Sequence, residues 1–289
     1  MLTFFKTKNG NNTKSDFTSF QIGATFIGTV IGAGFASGQE VLQFFGYYGV
    51  KGFFGVLAAT FLFIIYGYMI LKLAWKLKAY SHLDIIKETM GKWPAKIIDI
   101  IIVFFLFGGF TTMVAGSGAV FSEQFLLNSI WGNFFMVIAS LITVILGIKG
   151  IITVISLIVP ILALGILMIT VQSLILKYPY DMNVFTNFFW TQAPLDNWMI
   201  SAIIYVSYNI IIAIAVLAPL GGEMNDPQEF KKGSIIGGIG LGIGAGLILL
   251  SILLYFPGIL EYEVPILYIS GQFSPWIRVI YSFILLTEI

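Results

Sequence analysis

The residues best placed to do chemistry are few, and they sit inside apolar runs. The stretch from Gln21 to Glu40 reads QIGATFIGTVIGAGFASGQE. Gly32, Gly34 and Gly38 interrupt it near its middle, and Ser37, Gln39 and Glu40 follow. Glycine is a poor helix former and lets other groups approach the backbone closely. In lipid, freed N–H and C=O groups cost several kcal/mol unless protein, water or a ligand satisfies them. The spacing predicts a broken helix with a binding role, and it fits close packing too, because Gly28 and Gly32, and Gly34 and Gly38, are small-xxx-small pairs. Glu40 is a carboxylate following the break in a span, where a helix-centre position would cost about 2.5–3.5 kcal/mol on insertion, so it is a candidate proton carrier or gate; a position high enough to reach external water fits the sequence equally. A second cluster, Ser207, Tyr208 and Asn209, lies mid-way along the run that starts at Trp198. Three polar residues in a row cannot share one helix face, so a second functional break is expected there, next to Tyr205.

This chemistry is binding rather than bond-breaking. The chain has no cysteine and a single histidine, His82, which excludes disulfides, thiol nucleophiles and a histidine-based metal site. The spans contain no Ser/Lys pair and no His/Glu ligand set, so an intramembrane enzyme is not expected. Gly32, Gly34 and Gly38 imitate a dinucleotide fingerprint, but that motif needs a strand–turn–helix unit that nothing nearby supplies. The net charge of +1 offers no field for nucleic acid.

The elements that must position these residues are membrane helices. Of 289 residues, 58% are hydrophobic and 10% charged, and the mean hydropathy is +0.96, far from soluble usage. Eight apolar segments are expected, at roughly 18–47, 50–75, 96–121, 133–148, 151–176, 198–220, 233–256 and 276–289. Several suffice for a hydrocarbon core of about 30 Å; the fourth is short. Alternating ten-residue strands are absent, which argues against a β-barrel. With the N-terminus inside, twelve basic residues fall on the cytoplasmic side, among them Lys6, Lys8, Lys14, Lys149, Lys231 and Lys232, against Lys51, Lys177 and Arg278 outside. That asymmetry predicts a multi-pass protein of the cell membrane with a cytoplasmic tail over 1–17. Loops at 177–197 and 257–275 are expected outside, and a cytoplasmic amphipathic segment is expected around His82, Lys87 and Glu88. Asp99 is expected to be solvated or paired with Lys96, and Glu223 and Asp226 to lie in a solvated loop. The chain ends apolar at Ile289, which suggests truncation within an eighth helix.

The run from Gly28 to Glu40 resembles the signature of the YkvI-type bacterial membrane proteins, grouped with amino acid permeases. More broadly, Ile31 to Phe35 resembles the unwound first-helix motif of the amino acid–polyamine–organocation superfamily, and Tyr205 to Asn209 with Leu217-Ala-Pro-Leu-Gly221 is similar to its sixth-helix region. The resemblance implies an all-α integral membrane protein of the LeuT type: two inverted five-helix repeats, one over about 18–176 and a partial one over about 198–289, in a single transmembrane domain 18–289. It implies that the backbone of Gly32, Ala33 and Gly34 faces a substrate carboxylate, with Ser37, Thr111, Thr112, Tyr205, Ser207, Tyr208 and Asn209 as further lining. Gly28 and Ile31 would offer carbonyls near a sodium-type site, which hydroxyls on helix eight would complete; Thr287 stands early for that part. Half-helix ends of both polarities suit a small zwitterion and a coupling cation. The expected function is secondary active transport of an amino acid or similar small solute, coupled to sodium or protons, with no other cofactor and only the substrate and membrane lipid as partners. A channel, or a sensor that kept a transporter fold, is the alternative; no ring of carboxylates or filter repeat supports a channel. Thr111 and Thr112 equally fit hydroxyls bonded back to their own helix. The seven glycines from Gly233 to Gly246 fit close helix packing.

Overall fold

A computed structural model describes residues 17–145, 147–177, 193–262 and 264–288. The tail with Lys6, Lys8 and Lys14, and most of the expected loop at 177–197 with Asp181, lie outside the described residues, as do the side chains of Lys149 and Thr287. All regular structure among the described residues is helical. The helices are α1 Ser19–Val30, α2 Ala33–Ala36, α3 Gln39–Phe44, α4 Val50–Leu77, α5 His82–Met90, α6 Lys92–Phe125, α7 Ser129–Ile145, α8 Gly147–Leu176, α9 Trp198–Glu223, α10 Pro227–Leu254, α11 Pro265–Gly271 and α12 Pro275–Glu288.

Among the described residues, five helices are long and apolar enough to cross a membrane: Val50–Leu77, Lys92–Ser122, Gly150–Leu176, Trp198–Glu223 and Pro227–Leu254. The other three expected spans take different forms. The fourth and eighth are the shorter apolar helices Ser129–Ile145 and Pro275–Leu286, and the first is divided among α1, α2 and α3.

Local chemistry accounts for the helix starts. Thr18 and Gln21 form a capping box on α1, and Ser81 and Asp84 form one on α5, each satisfying otherwise orphaned N–H groups. Asn197 caps α9 through Met199 N, and Asp226 caps α10 ahead of Pro227. Asp226 is exposed in the short loop before α10, as expected, and there serves as its cap. Glu229 reaches across from α10 to accept from both the backbone N–H and the hydroxyl of Ser19, tying the start of α1 to the start of α10.

The centre is built from α1, α4, α9 and α10, which pack on one another. Glycines on α10 make this possible. A Cβ at Gly233 would stand 2.4 Å from Ile22, at Gly237 2.5 Å from Phe26, and at Gly238 2.4 Å from Ile64. All are far inside contact distance, so α1 and α4 approach α10 at a range only glycine permits. Phe26 meets Phe63 edge-on at 6.1 Å, and Phe63 meets Tyr205 at 5.9 Å. The long helix α6 instead leaves Ile97, Ile100, Phe104 and Phe107 exposed, an apolar surface suited to lipid.

The amphipathic segment is α5, whose Ile85 and Ile86 are buried and which packs on α6. Here the expected partner of Asp99 is corrected. His82 Nε2 stands 2.8 Å from Asp99 Oδ1, while Lys96 lies 5.7 Å above the Trp93 ring. Capping at Ser81 brings the first turn of α5 against α6, and that turn presents His82 to Asp99.

Candidate functional site

The first span breaks where the glycines stand. The N–H of Ile31 donates to Ile27 O at 2.8 Å, and Ile31 then turns to an extended conformation with φ −72° and ψ 122°. The last carbonyls of α1, those of Gly28, Thr29 and Val30, are thus beyond its final rung and carry the negative end of its dipole. The chain recovers one turn in α2, then reverses at Gly38, whose φ of 84° is left-handed and favours glycine. A Cβ there would also stand 2.8 Å from Ile266 Cγ1.

The freed carbonyls of the break are met from distant elements. Ile266 N donates to Ser37 O at 2.9 Å, from the start of α11. The buried hydroxyl of Tyr281, on α12, donates to Ala36 O at 2.7 Å. Ser37 Oγ turns back to Gly34 O at 3.0 Å. Accounting for a buried break in this way is what its desolvation cost demands. Tyr281 was not visible as a site residue, because it bonds a residue 245 positions away and belongs to no motif.

Glu40 folds back over the break. The place a Cβ would take on Gly34 lies 2.2 Å from Glu40 Oε1, so the missing side chain at 34 is the seat of the carboxyl group. The other oxygen accepts a hydrogen bond from Tyr208 OH. This joins Gly34, Glu40 and Tyr208 in one cluster. Tyr208 packs at 5.7 Å from Phe44 and 5.8 Å from Tyr205. Tyr205 is ringed by Phe44, Phe45 and Phe63, and its hydroxyl is buried without a hydrogen-bond partner, as is Gln39 Oε1.

The expected second break is absent. Helix α9 runs continuously from Trp198 to Glu223, through Ser207, Tyr208 and Asn209. The reason is local satisfaction. Ser207 Oγ donates to Ile203 O at 2.7 Å, and Asn209 Nδ2 donates to Tyr205 O at 3.0 Å. Both are one turn back on the same helix, so the backbone ladder stays whole. The three side chains do point apart: Ser207 is exposed, Tyr208 half-buried and Asn209 buried.

Other candidate residues separate from this cluster. Thr111 and Thr112 are exposed, and both hydroxyls donate to Gly108 O, at 2.8 and 2.9 Å; their helix reaches the break instead through Met113, whose Cε would lie 3.0 Å from a Cβ on Gly32. Gly28 packs against α8, where a Cβ would stand 2.3 Å from Ile155 Cγ2, so its carbonyl side alone is open to a binding role. Ile31 is buried, and Ala33 opens α2.

No family model matches this sequence. Over 276 residues, covering 96% of this chain and 78% of the relative, it is 31% identical to the Uncharacterized membrane protein YkvI of Bacillus subtilis (strain 168). Over 219 residues, covering 75% of this chain, it is 30% identical to the Uncharacterized protein YyaD of the same strain, and it spans 61% of that relative's length. With its five apolar helices of spanning length, this is a multi-pass, all-helical membrane protein, and the chain belongs to the YkvI family.

Proposed function

We propose that this protein is a secondary active transporter of an amino acid or similar small solute, of LeuT-type architecture, in the cell membrane with its N-terminus cytoplasmic. The observation that carries the reading is the break in the first span, lined by a carboxyl group from the same span. The break offers carbonyls at the end of α1 to a cation, and beside them the Glu40 carboxyl seated on Gly34 would answer the cationic end of a small zwitterion. A small zwitterion with a coupling sodium ion or proton matches that pair of groups. Gly28 and Ile31 would supply carbonyls to the ion. Tyr208 and Asn209 would face the substrate from α9 as an unbroken wall, so alternating access would turn on the single break around Gly32–Gly38. The packing of α1, α4, α9 and α10 as one group supports a unit able to rock as a body.

The test is uptake of a panel of radiolabelled amino acids into proteoliposomes under an inward sodium or proton gradient. Accumulation above equilibrium, abolished by collapsing the gradient, is the expected result. Conductance without saturation or counterflow would favour a channel. Saturable binding with no uptake under any gradient would refute transport and favour a sensor.

A further inference from the structure

Glu40 sits in the broken span without a cation. Among the described residues no lysine, arginine or histidine pairs with it. One carboxyl oxygen rests against Gly34 where a side chain would begin, and the other takes the Tyr208 hydroxyl. A carboxyl group packed among apolar side chains sheds its charge penalty by pairing with a cation or by taking a proton. This geometry leaves the proton. We infer that Glu40 is a reversible proton-binding site, and that its proton sets the strength of the Glu40–Tyr208 hydrogen bond that fastens α3 to α9.

The step balances simply. One proton adds to a Glu40 carboxyl oxygen, and Tyr208 keeps its own proton throughout. With Glu40 ionised, Tyr208 donates a charge-assisted bond; with Glu40 neutral, the same contact is an ordinary bond of roughly half the strength. The clasp therefore tightens on deprotonation and loosens on protonation. It joins two elements 168 residues apart, one of them the outer limb of the break, so a proton at this point biases how the limb sits.

The groups facing Glu40 are few. From α9 they are the phenols of Tyr205 and Tyr208, both within its field. The turn after α3 carries Tyr47 and Tyr48, and the Tyr48 hydroxyl is directed to Leu195 O. Helix α10 meets this region through apolar residues such as Ile248 and Ile252. Its titratable groups, Glu229, Lys231 and Lys232, are in its first turns at the other end. Helix α2 carries none. The Tyr205 hydroxyl, buried without a hydrogen-bond partner among the described residues, belongs to the same aromatic cage.

If the protein is a transporter, as proposed above, the proton at Glu40 is then a coupling ion. Infrared difference spectroscopy on the full chain in lipid vesicles, titrated from acid to alkaline pH, reads the site without any substrate. The expected result is a protonated-carboxyl stretching band that disappears on deprotonation, is lost in Glu40→Gln, and moves to higher frequency in Tyr208→Phe because the carboxyl loses its donor. A band unchanged in Glu40→Gln, or a Glu40 that never titrates, overturns the inference. Proteoliposome uptake under separate pH and sodium gradients divides the two claims. Uptake driven by pH and lost in Glu40→Gln upholds both. Uptake driven by sodium and retained in Glu40→Gln overturns the coupling role while transport stands. A titrating Glu40 with no uptake upholds the proton site and removes the transport reading.

Discussion

Replacing Gly34 with alanine probes how closely Glu40 is seated on the break. The backbone at Gly34 is not left-handed, so alanine suits its conformation and, in helix α2, even gains about 0.5–1 kcal/mol over glycine. The obstacle is the side chain opposite. The new Cβ would stand 2.2 Å from Glu40 Oε1, 2.7 Å from Cγ and 2.8 Å from Cδ. Non-bonded atoms settle near 3.5 Å, so the carboxyl must withdraw by more than about 1 Å. A retreat of that size takes a hydrogen bond to the limit of bonding. Losing the Tyr208 bond costs about 1.5–3 kcal/mol with Glu40 ionised and about 0.5–1.5 kcal/mol with it neutral. Net of the gain in helix propensity, Gly34→Ala should destabilise by about 1–2 kcal/mol at alkaline pH and by little at acid pH. Reversible unfolding in mixed micelles measures this, and a double-mutant cycle assigns the cause. In a Glu40→Ala background the methyl group enters vacated space and the penalty should vanish. An undiminished penalty in that background would refute the reasoning, since the cost would then lie in the backbone and not in the carboxyl group.

Three further substitutions test other joints of the same region. Gly38→Ala imposes a left-handed conformation on an L-residue and drives a Cβ to 2.8 Å from Ile266; a loss of about 1–3 kcal/mol in thermal or micelle unfolding is expected. Tyr281→Phe removes the donor to the buried Ala36 carbonyl and should cost about 1–3 kcal/mol, with faster hydrogen exchange at α2 and α3. Glu229→Gln weakens the tie to Ser19; a charge-assisted bond worth about 1.5–3 kcal/mol is reduced to a neutral one, and exchange at the first turn of α1 should rise while the break at Gly32–Gly38 is unaffected.

The first break was legible because its cause is local. Three glycines in seven residues weaken a helix wherever it lies, and the backbone does part there. The triplet at Ser207–Asn209 misled for an equally local reason. Hydroxyl and carboxamide groups found carbonyls one turn back, at Ile203 and Tyr205, so polarity inside a span did not require an interruption. The glycines of α10 from Gly233 to Gly242 read correctly as close packing, while Gly246 faces open space. What could not be read was pairing across long separations: Tyr208 to Glu40, Tyr281 to Ala36, Glu229 to Ser19. Each joins residues without a shared motif, and their meeting depends on how the helices pack. His82 and Asp99 illustrate the same limit at short range. Solvation or pairing with Lys96, three positions away, was expected for Asp99, yet the packing of α5 on α6 set His82 against it.

The glycine-lined contacts of α10 also have a mechanical consequence. Where a helix meets its neighbours through bare backbone, with Ile22, Phe26 and Ile64 filling the places of absent side chains, there is no lubricating layer of flexible groups between them. Sliding by even one residue would set side chain against backbone along the whole seam. Helices α1, α4 and α10 are geared together, and shear between them is blocked at every tooth. Displacement must concentrate where packing is thinner, such as between α6 and the central helices. If the protein transports as proposed, chemical cross-links placed within the geared set should leave uptake intact, whereas links from that set to α6 should arrest it.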